Sequence, residues 1–352
     1  MHILYLSRVR LNPYVNLLAR GVQNADKNLH AMQRPTLTWR RILLDRRWRI
    51  LHLHWVEIQY AYGPTDHARA QHDLDILLRQ LAHLQKHDRK IVYTVHNINH
   101  HEGQHPDLNQ RANQWLFTHA DAIHVHNHMT ARQVKQRYGR EQAVYVIPHG
   151  NYIGVYPNDI SRQDARDRLE IPAHHFVYLY LGQIRPYKGL DALITAFLKN
   201  DMPDATLILA GQINDESCAQ RLKQLTGEHP RIRLIPQFIP GDDIQTYCNA
   251  ADICVLPYRD ATTSGAALLA FSFGKPIIAP AIGPFPELLD NHQRGLLFDP
   301  ENQDLAAVLA EARNADLARM GATALDFAQE RNWTAIGAEH ARVYRRLMAA
   351  RQ

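Results

Sequence analysis

Long apolar runs are missing from this sequence. No stretch of its 352 residues approaches the roughly 18 uninterrupted apolar residues that a membrane-spanning helix needs. At the N-terminus, the short apolar run in MHILYLSRVRLNP has no basic segment before it and no small-residue cleavage site after it. This pattern predicts a first β-strand and argues against a signal peptide. We therefore expect a cytoplasmic protein, with the inner face of the cytoplasmic membrane as an open alternative.

Two further absences narrow the functional classes. Cysteine occurs at three positions only, Cys218, Cys248 and Cys254, and these have no zinc-ligand spacing, so we expect reduced thiols. Nicotinamide-dependent oxidoreductases carry a G-x-G-x-x-G pattern after their first strand. That pattern occurs nowhere in this sequence, which argues against such an enzyme.

Charge is distributed unevenly along the chain. Residues 1–165 contain 21 Lys and Arg against 13 Asp and Glu, a net charge of +8, whereas the remainder has a net charge of −3. A basic half is typical of proteins that meet nucleic acid, an anionic membrane surface or a phosphate-bearing substrate. Because no nucleic-acid recognition motif accompanies the charge, we expect no nucleic-acid partner.

The pattern of apolar residues predicts the fold. Short, almost continuous apolar segments alternate with helical segments, which indicates parallel sheets covered on both faces. An irregular polar stretch from Asn151 to about Arg166 separates two such series, and we place the hinge there. The prediction is an α/β chain of two Rossmann-like, doubly wound domains facing across a cleft. The predicted boundaries are residues 1–160, residues 161–332, and a C-terminal helix, residues 333–352, that crosses back to the first domain.

One segment of the second domain has the chemistry of a diphosphate site. In the sequence GQIRPYKGL, Gly182 permits a tight turn after a strand, Arg185 and Lys188 are cations, and Gly189 precedes an amphipathic helix. Cations beside a helix N-terminus bind phosphate groups. An ordinary strand-to-helix turn with exposed basic residues is the alternative.

A second segment offers backbone donors. Thr262, Thr263 and Ser264 can cap a helix that starts at about Gly265. The first N–H groups of that helix would then form a nest for phosphate oxygens. A plain helix cap is the alternative here.

Five motifs in order resemble the donor domain of glycosyltransferase family 4 and related exopolysaccharide-type transferases. They are Gly182 to Gly189, Ala251-Asp252 to Pro257, the helix from Gly265, Gly274 to Ala279, and Gly283 to Glu287. The resemblance implies a GT-B fold glycosyltransferase that moves a hexose-type sugar from a nucleoside diphosphate sugar, with UDP or GDP, to a glycan or lipid-linked acceptor. It also implies a reaction without a metal ion or another cofactor.

The sequence departs from the family at three positions. Gln183 stands where the family commonly has an arginine, so Arg185 is assigned the phosphate role on chemical grounds. Ala261 and Leu269 stand where many members have paired glutamates, the second of which binds the donor ribose. Retaining and inverting mechanisms therefore both stay open. The alternative function is a non-catalytic nucleotide-sugar-binding subunit of the same fold.

Further site residues are expected at the carboxyl ends of strands. We predict that Phe238 and Ile239 contact the base or ribose, and that Glu287 and Gly182 line the cleft near the sugar. In the first domain, the candidates are His96 and Glu57 for catalysis, His54 for the cleft, and Arg8 and Asn12 for the acceptor. A structural role is the alternative for each histidine.

Two other patterns in the first domain are ambiguous. His100, His101 and His105, and the HxHxH run from His124 to His128, suggest metal ligands, but no carboxylate cluster accompanies them, so we predict no metal site. The segment TWRRILLDRRWRI, residues 38–50, combines arginine and tryptophan in what we predict to be one helix. Peripheral contact with an anionic membrane and a solvated basic helix are both consistent with it.

Overall fold

The structure is a computed structural model that describes residues 1–98 and 105–349. The chain divides into two compact units. Unit 1 consists of Met1–Gly150 and Arg331–Gln352, and unit 2 of Asn151–Glu330.

Up to residue 150, strands and helices alternate as the apolar pattern predicts. The strands are β1 (His2–Leu6), β2 (His30–Arg34), β3 (Trp48–His54), β4 (Lys90–Thr94), β5 (Ala122–Val125) and β6 (Val144–Val146). The helices are α1 (Tyr14–Ala25), α2 (Trp39–Leu44), α3 (Glu57–Tyr60), α4 (His67–Lys86), α5 (Pro106–His119) and α6 (His128–Tyr138).

Unit 2 repeats the same scheme. Its strands are β7 (Phe176–Leu181), β8 (Ala205–Ala210), β9 (Ile232–Ile235), β10 (Ile253–Val255), β11 (Ile277–Pro280) and β12 (Gly295–Phe298). Its helices are α7 (Arg162–Arg168), α8 (Leu190–Lys199), α9 (Glu216–Thr226), α10 (Ile244–Ala250), α11 (Gly265–Ser272), α12 (Phe285–Leu289), α13 (Leu305–Ala312) and α14 (Leu317–Glu330). The last helix, α15 (Trp333–Ala349), belongs to unit 1.

Both sheets are parallel and doubly wound. The strand order is β2-β1-β3-β4-β5-β6 in unit 1 and β12-β11-β10-β7-β8-β9 in unit 2. The strand order changes direction between β1 and β3 in the first sheet, and between β7 and β10 in the second. Such a switch point is where open parallel sheets bind ligands, beyond the carboxyl ends of the strands.

Helices α1 and α15 cover one face of the sheet of unit 1. Their backbones approach so closely that a Cβ atom on Gly21 would lie 2.0 Å from the carbonyl oxygen of Trp333. Ile336, Val343 and Tyr344 of α15 share one buried cluster with Ile3 and Tyr5 of β1. A separate apolar cluster, which includes residues of α4 and α5, fills the opposite face.

The structure divides the chain after Gly150, ten residues before the predicted boundary at residue 160. Asn151–Ile160 belongs to unit 2, because its polar groups bond there. The backbone N–H of Asp159 donates to Gln245 Oε1 at 2.9 Å, and Asn249 Nδ2 donates to the Ile160 carbonyl at 3.0 Å.

The prediction of one helix across residues 38–50 is wrong. Helix α2 ends at Leu44, and β3 begins at Trp48, whose side chain is completely buried beneath the Arg89 guanidinium. Pairing of this segment with β1 overrides its helical spacing.

Candidate functional site

The two predicted phosphate-binding segments follow neighbouring strands. Gly182 comes directly after β7, and Pro257 comes shortly after β10, the strand paired with β7. These two strands flank the switch point of the sheet of unit 2. The fold therefore brings together two segments that lie about 80 residues apart in the chain, at the edge where parallel sheets hold ligands.

The first segment forms a tight turn against Pro257, which follows β10. Residues Pro186–Lys188 make a short 3₁₀ turn that ends at Gly189, whose φ of 70° is in the left-handed region. A Cβ atom at Gly189 would lie 2.1 Å from the Pro257 carbonyl oxygen. Glycine is required there by both backbone conformation and space.

Lys188 lies over two aromatic rings. Its Nζ is 3.5 Å from the centroid of the Tyr258 ring and 4.8 Å from that of Tyr187. Ring faces carry partial negative charge, so this arrangement holds the ammonium group in place. Arg185, at the start of the same turn, donates from Nη2 to Gln183 Oε1 at 2.9 Å. Gln183, at the position where the family resemblance implies an arginine, thus orients the arginine two residues later.

The second segment ends in a capped helix. Ser264 is the N-cap of α11, and its Oγ accepts a hydrogen bond from the Ala267 N–H at 3.2 Å. Thr262 is buried and Thr263 half-buried, so Ser264 alone of the three predicted residues caps the helix. The first N–H groups of α11, from Gly265 onward, have no acceptor within the helix, which makes its N-terminus suitable for an anion.

The other predicted residues of unit 2 differ in exposure. Phe238, after β9, is 52% exposed, whereas Ile239 is buried in the core of the unit. Contact of Phe238 and Ile239 with the base or ribose stays a prediction. Glu287 is exposed in the first turn of α12, and Gly182 has a φ of 148° at the end of β7.

In unit 1, Glu57 follows an unusual backbone turn. Trp55 directly after β3 has a φ of 46°, which is rare for a bulky residue and marks a constrained site. The turn starts α3 at Glu57, whose carboxyl group is hydrogen-bonded to the Asn97 side chain. Burial raises the pKa of Glu57 to about 7, so this carboxyl titrates near neutral pH.

His96 is held on three sides. Its ring stacks on the Trp55 indole with centroids 3.7 Å apart, and its Nε2 is 3.0 Å from His54 Nδ1. Tyr14 of α1 meets its ring edge-on at 5.0 Å. Burial, together with the neighbouring His54 and His126, keeps the pKa of His96 well below its ordinary value. His96 is therefore a neutral hydrogen-bonding group at physiological pH.

The predicted acceptor residues lie on the loop after β1. The Arg8 guanidinium is 5.2 Å from the ring centroid of Tyr62. Asn12 Oδ1 accepts a hydrogen bond from the Tyr14 N–H at 2.9 Å, so this side chain forms a turn directly before α1. Arg8 is thus the better placed of the two for an acceptor.

Histidines from several elements of unit 1, with α15 among them, form a buried layer. It consists of His52, His54, His96, His124, His126, His149 and His340. In the part of the chain that the structure describes, no group of three or more His, Cys, Asp or Glu side chains could hold a metal ion. His100 and His101 lie outside the described residues.

Three residues near the predicted donor site were not predicted from the sequence: Tyr258, Arg259 and Asp191. Arg259 donates from Nη2 to both carboxylate oxygens of Asp191 at 2.7 Å. Arg259 follows Pro257 and Tyr258 directly after β10, so the sequence shows a basic residue near the predicted site. Its partner Asp191 lies 68 residues away in the chain, and no local pattern predicts their ion pair. Among the described helices, none is long and apolar enough to cross a membrane.

The chain is similar in sequence to known glycosyltransferases. The model of the family described as glycosyl transferases group 1 matches residues 161–320, which contain both of the predicted phosphate-binding segments. A GDP-mannose:glycolipid 4-beta-D-mannosyltransferase from Xanthomonas campestris pv. campestris is 26% identical over 337 residues, 95% of this chain and 88% of the relative. A D-inositol 3-phosphate glycosyltransferase from Corynebacterium aurimucosum is 26% identical over 73% of this chain and 66% of the relative.

Solved structures share the fold over the whole chain. The sucrose-phosphate synthase of Thermosynechococcus elongatus superposes with a TM-score of 0.76 at 19% identity, covering 99% of this chain and 100% of that one. HepE of Anabaena in complex with UDP-glucose superposes with a TM-score of 0.75 at 17% identity and the same coverage. The predicted fold and enzyme class are confirmed: the chain is a glycosyltransferase of the GT-B fold, and its residues 161–320 match the group 1 glycosyl transferases.

Proposed function

We propose that this enzyme transfers a hexose-type sugar from a nucleoside diphosphate sugar to a glycan or lipid-linked acceptor. The observation that carries the proposal is the pair of anion-binding features at the switch point of unit 2. One is the Lys188 turn with Arg185, and the other is the N-terminus of α11 with its Ser264 cap.

These groups would stabilise the leaving nucleoside diphosphate. Breaking the bond between the anomeric carbon and the phosphate oxygen leaves additional negative charge on the diphosphate. Lys188, Arg185 and the first amides of α11 offer positive charge to the phosphate oxygens. Because the protein orients these donors in advance, they bind the diphosphate of the donor and continue to stabilise it as it leaves. They can serve in place of a divalent cation.

The donor base would stack on Phe238. An exposed aromatic ring beyond β9, on the same sheet edge as the phosphate groups, is a suitable platform. GDP-mannose and UDP-glucose appear in the names of the Xanthomonas relative and the Anabaena structure, so GDP and UDP are the two nucleotides to test first. Glu287 is proposed to contact the sugar hydroxyls.

Unit 1 would bind and activate the acceptor. The ionised Glu57 carboxylate takes the proton from the acceptor hydroxyl as its oxygen attacks the anomeric carbon, and the nucleoside diphosphate leaves. His96, kept neutral and oriented by His54, is proposed to hydrogen-bond the transferred sugar. Arg8 is proposed to meet an anionic group of the acceptor. A lipid-linked acceptor also fits a peripheral contact between α2 and an anionic membrane.

Replacing Lys188 tests the donor site. Loss of one charge-assisted contact costs about 1.5–3 kcal/mol, so we expect Lys188→Ala to raise the donor KM by roughly 10- to 100-fold. The measurement is steady-state transfer from a panel of UDP- and GDP-sugars. Lys199→Ala is the matched control, because Lys199 is an exposed lysine of the next helix, α8, paired with Asp304. Near wild-type kinetics in Lys188→Ala would refute the donor site.

A further inference from the structure

We propose that Pro257–Arg259 is a positioning segment that holds the Lys188 turn at a set distance from the N-terminus of α11, with Tyr258 and Arg259 as its positioning residues. The proposal rests on the function proposed above, in which both features bind the donor diphosphate. It adds two residues that neither the motifs nor the comparisons assign.

The backbone of this segment is joined to the turn at two points. Its Pro257 carbonyl contacts Gly189, where any side chain would collide with it. The backbone N–H of Arg259 donates to the Tyr187 carbonyl at 2.9 Å. These contacts leave the turn little freedom to move away from the strand β10 edge.

The Arg259 side chain adds a third connection. Its Nη2 donates to both carboxylate oxygens of Asp191 at 2.7 Å, and its Nη1 donates to the Pro186 carbonyl at 3.3 Å. Asp191 lies in the first turn of α8, immediately after Gly189 and Leu190. One guanidinium group therefore bonds both the 3₁₀ turn and the helix that follows it, a geometry that lysine cannot reproduce.

Tyr258 connects the two phosphate-binding features directly. The Lys188 Nζ lies 3.5 Å from the centroid of the buried Tyr258 ring. The Tyr258 hydroxyl is hydrogen-bonded to the Ser264 side chain. Ser264 is the cap of α11. A single side chain thus contacts the cation on one side and the helix cap on the other.

This geometry has a consequence for donor binding. A diphosphate must meet the ammonium group and the helix amides at the same time, so the separation of these groups decides how well both contacts form. A misplacement of about 1 Å can cost on the order of 100-fold in an enzymatic rate. Loosening the positioning segment should therefore weaken donor binding and leave acceptor binding unchanged.

A competing explanation is that Arg259 leaves Asp191 and binds the donor phosphate itself. The two explanations predict opposite results for Asp191. If Arg259 positions the turn, removing the Asp191 charge raises the donor KM as much as removing Arg259 does. If Arg259 is a phosphate ligand that Asp191 restrains, removing the Asp191 charge frees it and tightens donor binding.

A double-mutant cycle decides between them. We would measure donor KM, acceptor KM and kcat in the full-length enzyme for Asp191→Asn, Arg259→Gln and the double variant. We expect each single change to raise the donor KM by roughly tenfold, with acceptor KM unchanged and the double variant no worse than either single one. A donor KM in Asp191→Asn that is unchanged or lower, or additive effects in the double variant, would overturn the proposal.

Two further variants complete the experiment. Tyr258→Phe keeps the ring under Lys188 but loses the bond to Ser264, and we expect a smaller rise in donor KM, about threefold. Lys199→Gln with Asp304→Asn removes an exposed ion pair of the same unit and should change no kinetic constant. Unfolding in urea, followed by circular dichroism, verifies that each variant is folded.

Lys188→Ala is measured alongside to separate the two proposals. If it leaves the donor KM unchanged, the proposed donor site and the positioning segment both fall. If it raises the donor KM while Asp191→Asn does not, the donor site stands and only the positioning role is wrong.

Discussion

At the residue scale, the two proposed catalytic side chains of unit 1 are shifted toward their neutral forms by the same cause. Burial raises the pKa of Glu57 to about 7 and lowers the pKa of His96 well below its ordinary value. The results for catalysis differ. Glu57 changes its charge near neutral pH, whereas His96 stays neutral throughout that range.

Replacement of Glu57 tests its role as the base. A carboxyl group must be ionised to accept a proton, so with a pKa of about 7 the rate should rise from pH 6 to pH 8 and then level off. General-base catalysis contributes roughly 100- to 10,000-fold, and we expect Glu57→Gln to lose that factor in kcat together with the pH-dependent limb. The measurement is kcat against pH at saturating donor and acceptor.

Glu141→Gln is the control for this experiment. Glu141 is an exposed glutamate of the same unit, paired with Lys135. The control should keep the wild-type profile. If the rising limb persists in Glu57→Gln, another group is the base.

At the element scale, α2 carries exposed apolar and basic side chains together. Trp39 is 39% exposed, Leu43 54% and Leu44 72%, although a helix of this length would ordinarily bury such residues. Arg40, Arg46 and Arg47 beside them are exposed as well. Apolar side chains that insert among arginines are typical of a surface that meets anionic lipid headgroups.

Vesicle binding tests this surface. We expect the protein to co-sediment with phosphatidylglycerol vesicles but not with phosphatidylcholine vesicles, and salt should weaken the binding because headgroup attraction is screened. The variant Leu43→Ser with Leu44→Ser should bind several-fold less, since apolar insertion contributes to affinity. Leu198→Ser is the control, because Leu198 is 42% exposed in unit 2. Equal binding of both variants would contradict the assignment.

At the scale of the whole molecule, the buried histidine layer makes unit 1 sensitive to acid. Burial lowers the pKa of every member, to about 4 in His149 and His340 and about 3 in His126. The unfolded chain has histidine pKa values of about 6.5. Below that pH the unfolded state binds more protons than the folded one, so stability is greatest above pH 6.5 and falls as the pH drops toward 4.

Fluorescence can follow this effect in unit 1 alone. All five tryptophans of the chain lie in segments that belong to unit 1. Urea unfolding followed by tryptophan emission should give midpoints that fall steeply between pH 7 and pH 5, while an unfolding signal from unit 2 falls less. A pH-independent midpoint would contradict the prediction.

His124 offers a sharp variant for the same measurement. Neither of its ring nitrogens has a hydrogen-bond partner among the described residues. An unsatisfied buried polar group costs about 1–3 kcal/mol, so His124→Leu should raise the midpoint and flatten its pH dependence. His72→Gln, a change at an exposed histidine, should do neither.

The sequence alone determined the fold class and indicated the local chemistry of the proposed donor site. Apolar runs are buried by any parallel sheet, so their alternation with helical segments was sufficient to predict two doubly wound domains. The roles proposed for Lys188, Ser264 and Gly265 depend on the turn and the helix in which they lie, and a local sequence pattern can predict such roles. The apolar pattern does not reveal the edge strand β2, because its segment, HAMQR, is polar and pairs with β1 on one side only.

Only the tertiary structure decided how these parts are held together. The support of Lys188 by Tyr258, the bond from Arg259 to Asp191 and the neutral state of His96 depend on partners about 40 to 70 residues away in the chain. The burial of Trp48 and Ile239 was likewise decided by packing, which helical spacing and position after a strand do not specify. Contacts of this range arise when strands are ordered in a sheet, and no local pattern in one sequence specifies that order.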